Sequence, residues 1–304
     1  MTGPAGRART VWRQVDGILL LDKPLGLTSN RALQIVRRLL RAEKAGHTGS
    51  LDPLASGVLP LCFGEATKVA GLLLDADKRY VATLALGQQT DTGDREGRVI
   101  QTAVVPLLSE AIVHAACARF VGDTTQIPPM YSALKRDGEA LYTLARRGEV
   151  VEREPRAVRI AALQVLHWSN EEVVFDVRCS KGTYVRTLGE DIAQALGTVG
   201  HLSALRRTDV GDVFADRPVH TLEALEGLAG QEAELDALLL GADVALGHWP
   251  SVHLDAATEN RFMHGQSVAI DATAGRLKVY GATGRFLGLG EWDEGILSPK
   301  RLFN

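Results

Sequence analysis

The chain has 304 residues, 45% of them hydrophobic, and a formal net charge of −3. That length suits one large domain plus a small one, and no apolar run approaches the ~20 residues of a membrane helix, so no membrane-spanning helix is expected. Cys62, Cys117 and Cys179 are odd in number and widely spaced, a pattern of neither zinc site nor disulfide framework that fits a reducing cytoplasm.

Charge is unevenly distributed. Residues 1–218 hold 28 Lys/Arg against 25 Asp/Glu, and residues 219–304 hold 6 against 12. The stretch 219–250 has six acids and no Lys or Arg, so an acidic connector masks a mildly basic body. Non-specific affinity for nucleic acid is therefore expected to be modest, with shape mattering more than bulk charge.

Residues 1–10 are small and basic with no apolar core behind them, which reads as a loose tail rather than a secretory signal. Gly17 to Lys23 reads as a buried strand stopped by Pro24. Thr28, Ser29 and Asn30 offer N-caps for a helix with Ala32, Ile35, Val36, Leu39 and Leu40 on one face and Arg31, Arg37, Arg38 and Arg41 on the other. The run from Gly46 to Pro60 is rich in glycine and proline and reads as a shaped loop. In its middle sits Asp52, either a turn opener before Pro53 or a catalytic carboxylate.

Glu65 to Leu74 reads as a second helix and Asp77 to Leu84 as a strand entered by Tyr80. Gly87 to Asp94 is a polar turn whose Asp94 is either structural or near a bound nucleotide. Residues 124–152 break the regular pattern at Pro128-Pro129, and a short helix is predicted over Glu139–Arg147. There Lys135, Arg136, Arg146 and Arg147 bracket Tyr131 and Tyr142, a mixture suited to phosphates and unstacked bases.

Val173 to Ser180 alternates as a half-buried strand. Lys181 to Arg186 then turns into a helix, and Tyr184 and Arg186, two apart, can point into one cleft. Residues 219–250 read as a helical connector, and from Ser251 onward short alternating runs read as a small β-rich unit.

The string GHTGSLDPLASGVLPL around Asp52 resembles the catalytic motif of the TruB-type tRNA pseudouridine synthases, with Ser50 and Ser56 where the family usually has Thr. LLLDKPLGLTSN, the GxxTDTxD-like loop ending at Asp94, SKGTYVRT and LRRT extend the resemblance over nearly the whole chain. The resemblance implies an α/β fold of α+β type with a mixed, largely antiparallel sheet. Its domains would be a catalytic domain over 11–248, an RNA-clamping insertion at about 124–152, and a PUA-like RNA-binding module over 249–304.

It further implies that Asp52 is the essential residue, that Arg186 pairs with it, and that Tyr80 stacks on the target base and offers a hydroxyl for the C5 proton. Tyr184 would pack under the base, and Leu205, Lys23 and Asp94 would line the nucleotide site. His47 would fill the space left by an extruded base; read from its residues alone, it is equally a loop histidine bonded to a backbone carbonyl.

Such an enzyme isomerises the T-loop uridine at position 55 of tRNA. It must break the ribose–uracil N1 bond, turn the base and rejoin it through C5, and a base inside a folded loop must first be extruded. The expected partner is the T-arm stem-loop, bound by a monomer, with no membrane, metal or cofactor. Two other readings remain: an RNA-folding chaperone acting on the tRNA elbow, which can coexist with catalysis, and a relative of the guide-RNA-dependent synthases. The 124–152 insertion and the lack of a long basic C-terminal tail argue against the last.

Overall fold

A computed structural model describes residues 11–214, 216–273 and 275–303; the N-terminal tail lies outside them. In chain order the elements run β1 (Gly17–Lys23), α1 (Ser29–Leu39), β2 (Ala45–His47), β3 (Ala55–Phe63), a 3₁₀ turn (Gly64–Lys68), α2 (Ala70–Asp75), β4 (Lys78–Leu86), β5 (Gln88–Thr90), β6 (Val99–Thr102) and α3 (Glu110–Ala118). There follow β7 (Gly122–Gln126), β8 (Lys135–Arg136), β9 (Glu139–Ala140), α4 (Leu141–Arg146), β10 (Arg156–Trp168), β11 (Glu172–Cys179), α5 (Val185–Ala195) and β12 (Gly200–Val210). The chain closes with β13 (His220–Thr221), α6 (Leu222–Gly227), α7 (Glu232–Ala237), a 3₁₀ turn (Ala242–Leu246), β14 (Ser251–His253), α8 (Ala256–Met263), β15 (Val268–Ala269), β16 (Gly275–Tyr280), β17 (Phe286–Asp293) and β18 (Ile296–Leu302).

The body is built on a mixed nine-stranded sheet in the order β13-β1-β3-β12-β4-β11-β10-β7, with β2 added to β3. Only the β1–β13 and β3–β12 pairings are parallel. β11 shows why the residues choose this state: every second side chain, including Val173, Phe175 and Val177, is buried, the period of a pleated strand. β1 opens on an apolar run, Ile18 to Leu21, because both its faces are covered there. α1 starts where the Thr28 hydroxyl accepts the Arg31 N–H at 3.2 Å. It buries Ala32, Leu33 and Val36, and Ile35 and Leu39 are only partly covered.

Four elements differ from the sequence reading. Only Thr48 to Leu54 is loop; Ala55 to Pro60 belongs to the buried strand β3. Gly57 is there for packing, since a Cβ at its φ of 104° would lie 2.1 Å from the Arg207 carbonyl oxygen on β12. The helix expected over Glu65–Leu74 is broken into a 3₁₀ turn and α2. The three-residue period of the turn puts Ala66 and Val69 together on the buried side.

Thr124–Gln126 stay in the sheet as β7, paired with β10, so the irregular excursion begins after them. Within it β8 and β9 form a hairpin turned by Asp137 at φ 50° and Gly138 at φ 86°; Glu139 and Ala140 are its second strand, so α4 begins at Leu141. The acidic connector is two six-residue helices and a 3₁₀ turn rather than one helix.

The C-terminal five-stranded sheet, β14-β16-β17-β18-β15, has its own apolar cluster centred on Phe262, Val279 and Leu287. Leu289 and Phe303 join a second cluster with Ile18, Leu20 and Val69 of the body, which seats the two units against each other.

Candidate active site

The loop between β2 and β3 is anchored on both sides of Asp52. Gly49, at φ 90°, turns the chain where other residues would be strained. The Ser29 hydroxyl, at the first position of α1, accepts the Leu51 N–H at 2.7 Å and donates to the Leu51 carbonyl at 3.1 Å. Gly26 N–H donates to the Pro53 carbonyl at 2.8 Å. Asp52 is thus fixed in its backbone while its side chain stays 44% exposed at the cleft mouth.

Arg186, in the first turn of α5, points at it. Its Nη2 lies 2.9 Å from Asp52 Oδ2 and its Nη1 3.7 Å from Asp94 Oδ2. The same guanidinium donates to the Thr92 and Tyr131 carbonyls, each at 2.7 Å. With 5% of its side chain exposed, Arg186 is a buried hub joining the Asp52 loop, the turn at Thr92–Asp94, the excursion and α5. Charge-assisted bonds of this kind are shorter and stronger than neutral ones, and they direct as well as attract.

Behind this pair lies a cleft of about 330 Å³ walled by Tyr80, Tyr184 and Leu205 and floored by Lys78 and Arg207. Tyr80 projects from near the start of β4; burial pushes its phenol pKa up and the charge of Arg207 opposes this, so it is a protonated hydroxyl at neutral pH. Tyr184 precedes α5, and the Gln126 side-chain amide clamps its backbone, accepting the Tyr184 N–H at 3.0 Å and donating to its carbonyl at 3.3 Å. Burial pushes the Tyr184 phenol up too.

His47 ends β2 on the outer side of the Asp52 loop, in a second cavity of about 570 Å³ shared with Asp52, Tyr131, Tyr142 and Arg146. Its Nδ1 is buried without a hydrogen-bond partner among the described residues, so that atom makes no bond to a backbone carbonyl. Burial, and then Arg207, push its pKa down, which favours a neutral ring.

The remaining expected residues divide. Asp94 is 4% exposed, and its Oδ1 accepts the Thr92 hydroxyl at 2.7 Å and the Glu96 N–H at 3.0 Å, so its carboxylate shapes the turn and faces Arg186. Lys23 is fully buried and does not line the cleft; its ammonium donates to the Pro24 and Leu27 carbonyls, and burial pushes its pKa down to about 8. It lies behind the loop because β1 ends there.

Of the four cations singled out in the excursion, Arg146 lines the cavity beside His47 and Asp52, stacked 5.5 Å from the Tyr142 ring centroid. Arg147 is engaged by Glu139 and Glu149, and Lys135 and Arg136 line a separate cavity with Arg153 and Arg156.

Four residues of the site were not singled out from the sequence for their part in it: Ser29, Lys78, Gln126 and Arg207. Arg207 carried a readable signal, since it stands two residues after Leu205 and the strand period puts both on one face. Ser29 and Gln126 act through backbone partners 22 and 58 positions away, so nothing local marks them, and Lys78 bonds to nearby carbonyls but is brought to the cleft only by the sheet.

Three family profiles cover the chain in turn. "TruB family pseudouridylate synthase (N terminal domain)" matches residues 37–185, "tRNA pseudouridylate synthase B C-terminal domain" residues 186–247, and "Pseudouridine synthase II TruB, C-terminal" residues 250–303. The chain is 50% identical over 300 residues to "tRNA pseudouridine synthase B" of Hydrogenovibrio crunogenus, covering 98% of this chain and 97% of that one. It is 53% identical over 310 residues to the protein of the same name from Burkholderia mallei, covering 99% and 98%. Among solved structures it resembles a chain of "Crystal Structure of a Cbf5-Nop10-Gar1 Complex", with TM-score 0.71, 26% identity, and 95% of this chain and 85% of that one covered.

Proposed function

The chain belongs to the TruB family of pseudouridylate synthases, and on that footing we propose that it isomerises uridine 55 in the T-loop of tRNA to pseudouridine. The observation that carries the reading is the Asp52–Arg186 pair at 2.9 Å, set at the mouth of a cleft walled by two tyrosines and a leucine. A flat, neutral base extruded from the loop suits such walls, and extrusion costs a few kcal/mol that stacking and hydrogen bonding repay.

In this reading Arg186 directs the Asp52 carboxylate towards the nucleotide, where it acts on the sugar or the base. Tyr80 stacks on the uracil, Tyr184 and Leu205 close its other sides, and His47 fills the space left in the loop. Tyr80, as a protonated phenol, is a hydrogen-bond partner for the base until it gives up its own proton. Substrate and product contain the same atoms, so the reaction needs no redox cofactor or co-substrate.

The excursion after Gln126 grips the T-arm through Arg146 and the tyrosines beside it, and Lys135, Arg136 and Arg147 extend the grip. The module from residue 249 on, read as PUA-like, reaches RNA outside that arm. The enzyme acts as a cytoplasmic monomer. Among the described residues no helix is long and apolar enough to cross a membrane.

The test is incubation with a bare T-arm stem-loop followed by pseudouridine mapping. Conversion at the T-loop uridine alone is expected. Unmodified RNA in the presence of tight binding would favour the chaperone reading instead.

A further inference from the structure

The floor of the cleft contains a charge to which the proposed reaction gives no role. Arg207 has the largest fully buried side chain among the described residues, 1% exposed. Its Nε donates to the Val58 carbonyl at 2.8 Å and its Nη2 to the Gly49 carbonyl at 3.3 Å, and Tyr80 is its direct cross-strand partner on β4, the two side chains lining the same cleft. The preceding arginine, Arg206, points to the other face and forms an ion pair with Asp22 at 2.8 Å. Arg207 has no carboxylate partner among the described residues.

Its near neighbours are cations too. Lys78, 7% exposed, donates to the Leu73, Leu74 and Ala76 carbonyls, and burial, then Arg207, push its pKa down to about 8.

A buried guanidinium with no counter-charge opposes folding, and an apolar side chain of similar volume would suit the site better for stability alone. Its retention therefore calls for something that only the fork of donors does. The geometry supplies it. Gly57 lets β3 approach the Arg207 backbone so closely that the guanidinium passes beneath the Asp52 loop. One arm holds Gly49, three residues before Asp52, and across the ladder the residue paired with Arg207 is Tyr80, near the start of β4.

We propose that Arg207 is a positioning residue for the reaction: its guanidinium ties the Gly49 carbonyl to the Tyr80 hydroxyl and so sets the distance between the Asp52 carboxylate and the ring against which the base packs. This rests on the function proposed above. A lysine at the same position carries the charge but presents a point rather than a fork, so it can hold one partner and not both.

The experiment is a double-mutant cycle on a T-arm stem-loop RNA under single-turnover conditions, with RNA affinity and melting temperature measured on each protein. Arg207→Met is expected to slow the step at least ~100-fold while the RNA dissociation constant stays within ~threefold, a loss confined to the transition state. In a Tyr80→Phe background the same substitution is expected to cost less than ~tenfold, because the tie is already cut. Arg207→Lys should recover part of the rate in the wild-type background and none in Tyr80→Phe.

Equal losses in both backgrounds, or a Met variant within ~threefold of wild type, would overturn the proposal. If Arg207→Met does not fold, Arg207→Lys in the two backgrounds decides: a loss that disappears with Tyr80→Phe supports the tie, and one that persists overturns it. A wild-type protein that binds the RNA without converting it would count against the proposed function, not against this coupling.

Discussion

The two walls of the cleft are held by different means. The Asp52 wall is pinned by buried partners: Ser29 on Leu51, Gly26 on Pro53, Arg207 on Gly49. The opposite wall, the excursion between β7 and β10, has a small apolar core of Leu141 and Leu144 and leaves Ile127, Tyr142 and Val150 exposed. Its ion pairs, Arg147 with Glu139 and Glu149, are at the surface, where such pairs add little to stability. Arg186 bridges the two through the Tyr131 carbonyl. Chemistry needs atoms held within fractions of an ångström, whereas gripping an RNA tolerates and even profits from a surface that adapts.

Asp52→Asn tests the rigid wall most severely. Asparagine suits the turn as well as aspartate does, so the fold should stand. Turnover of the T-arm stem-loop should fall by many orders of magnitude while affinity stays within ~tenfold, or about 1.4 kcal/mol. Single-turnover assays with binding and melting on one preparation check this. A stable, RNA-binding variant that still isomerises uridine near the wild-type rate would remove Asp52 from the chemistry.

Ser29→Ala sharpens the contrast, since it touches no substrate. It leaves the buried Leu51 amide and carbonyl without their partner, which should lower stability by about 1–3 kcal/mol. It should also slow turnover by about tenfold through a looser Asp52 loop. A melting shift with unchanged rate would mean that the Ser29 bonds support only the fold.

On the other wall, Arg146→Ala should weaken RNA binding and reduce the slope of log affinity against log salt by roughly 0.7–0.9, the signature of one phosphate contact. The single-turnover rate at saturating RNA should change little. An unchanged salt slope would place Arg146 off the RNA backbone.

The smallest effect needs no mutation. Amide exchange from residue 127 to 155 should be fast in the free protein and slowed by the stem-loop, while Leu51 stays protected in both states. Equal protection of the excursion with and without RNA would erase the difference between the walls.

Much of this was legible in the chain. The burial periods of β1 and β11, the cap at Thr28, and the turn that puts Tyr184 and Arg186 before and inside α5 follow from local pattern, because a strand or helix reads its own neighbours first. The resemblance around Asp52 supplied its pairing with Arg186, and the structure puts the two 2.9 Å apart.

Tertiary structure alone decided the rest. Gly57 and Pro60 look like loop residues until β12 and β1 are laid beside them; then Gly57 is the one residue that lets two backbones approach, and Pro60 a member of a strand. Lys23 looks available to a substrate until its strand is laid against β3 and the side chain is covered. Arg207 looks like one of two adjacent arginines until the sheet sends its neighbour to Asp22 and leaves it alone beneath the Asp52 loop. The physical reason is the same in each case. Backbone propensity is set by residues within a few positions, whereas burial is set by segments distant in the chain, such as Val58 and Gly49, 149 and 158 positions from Arg207, that meet only once the sheet is assembled.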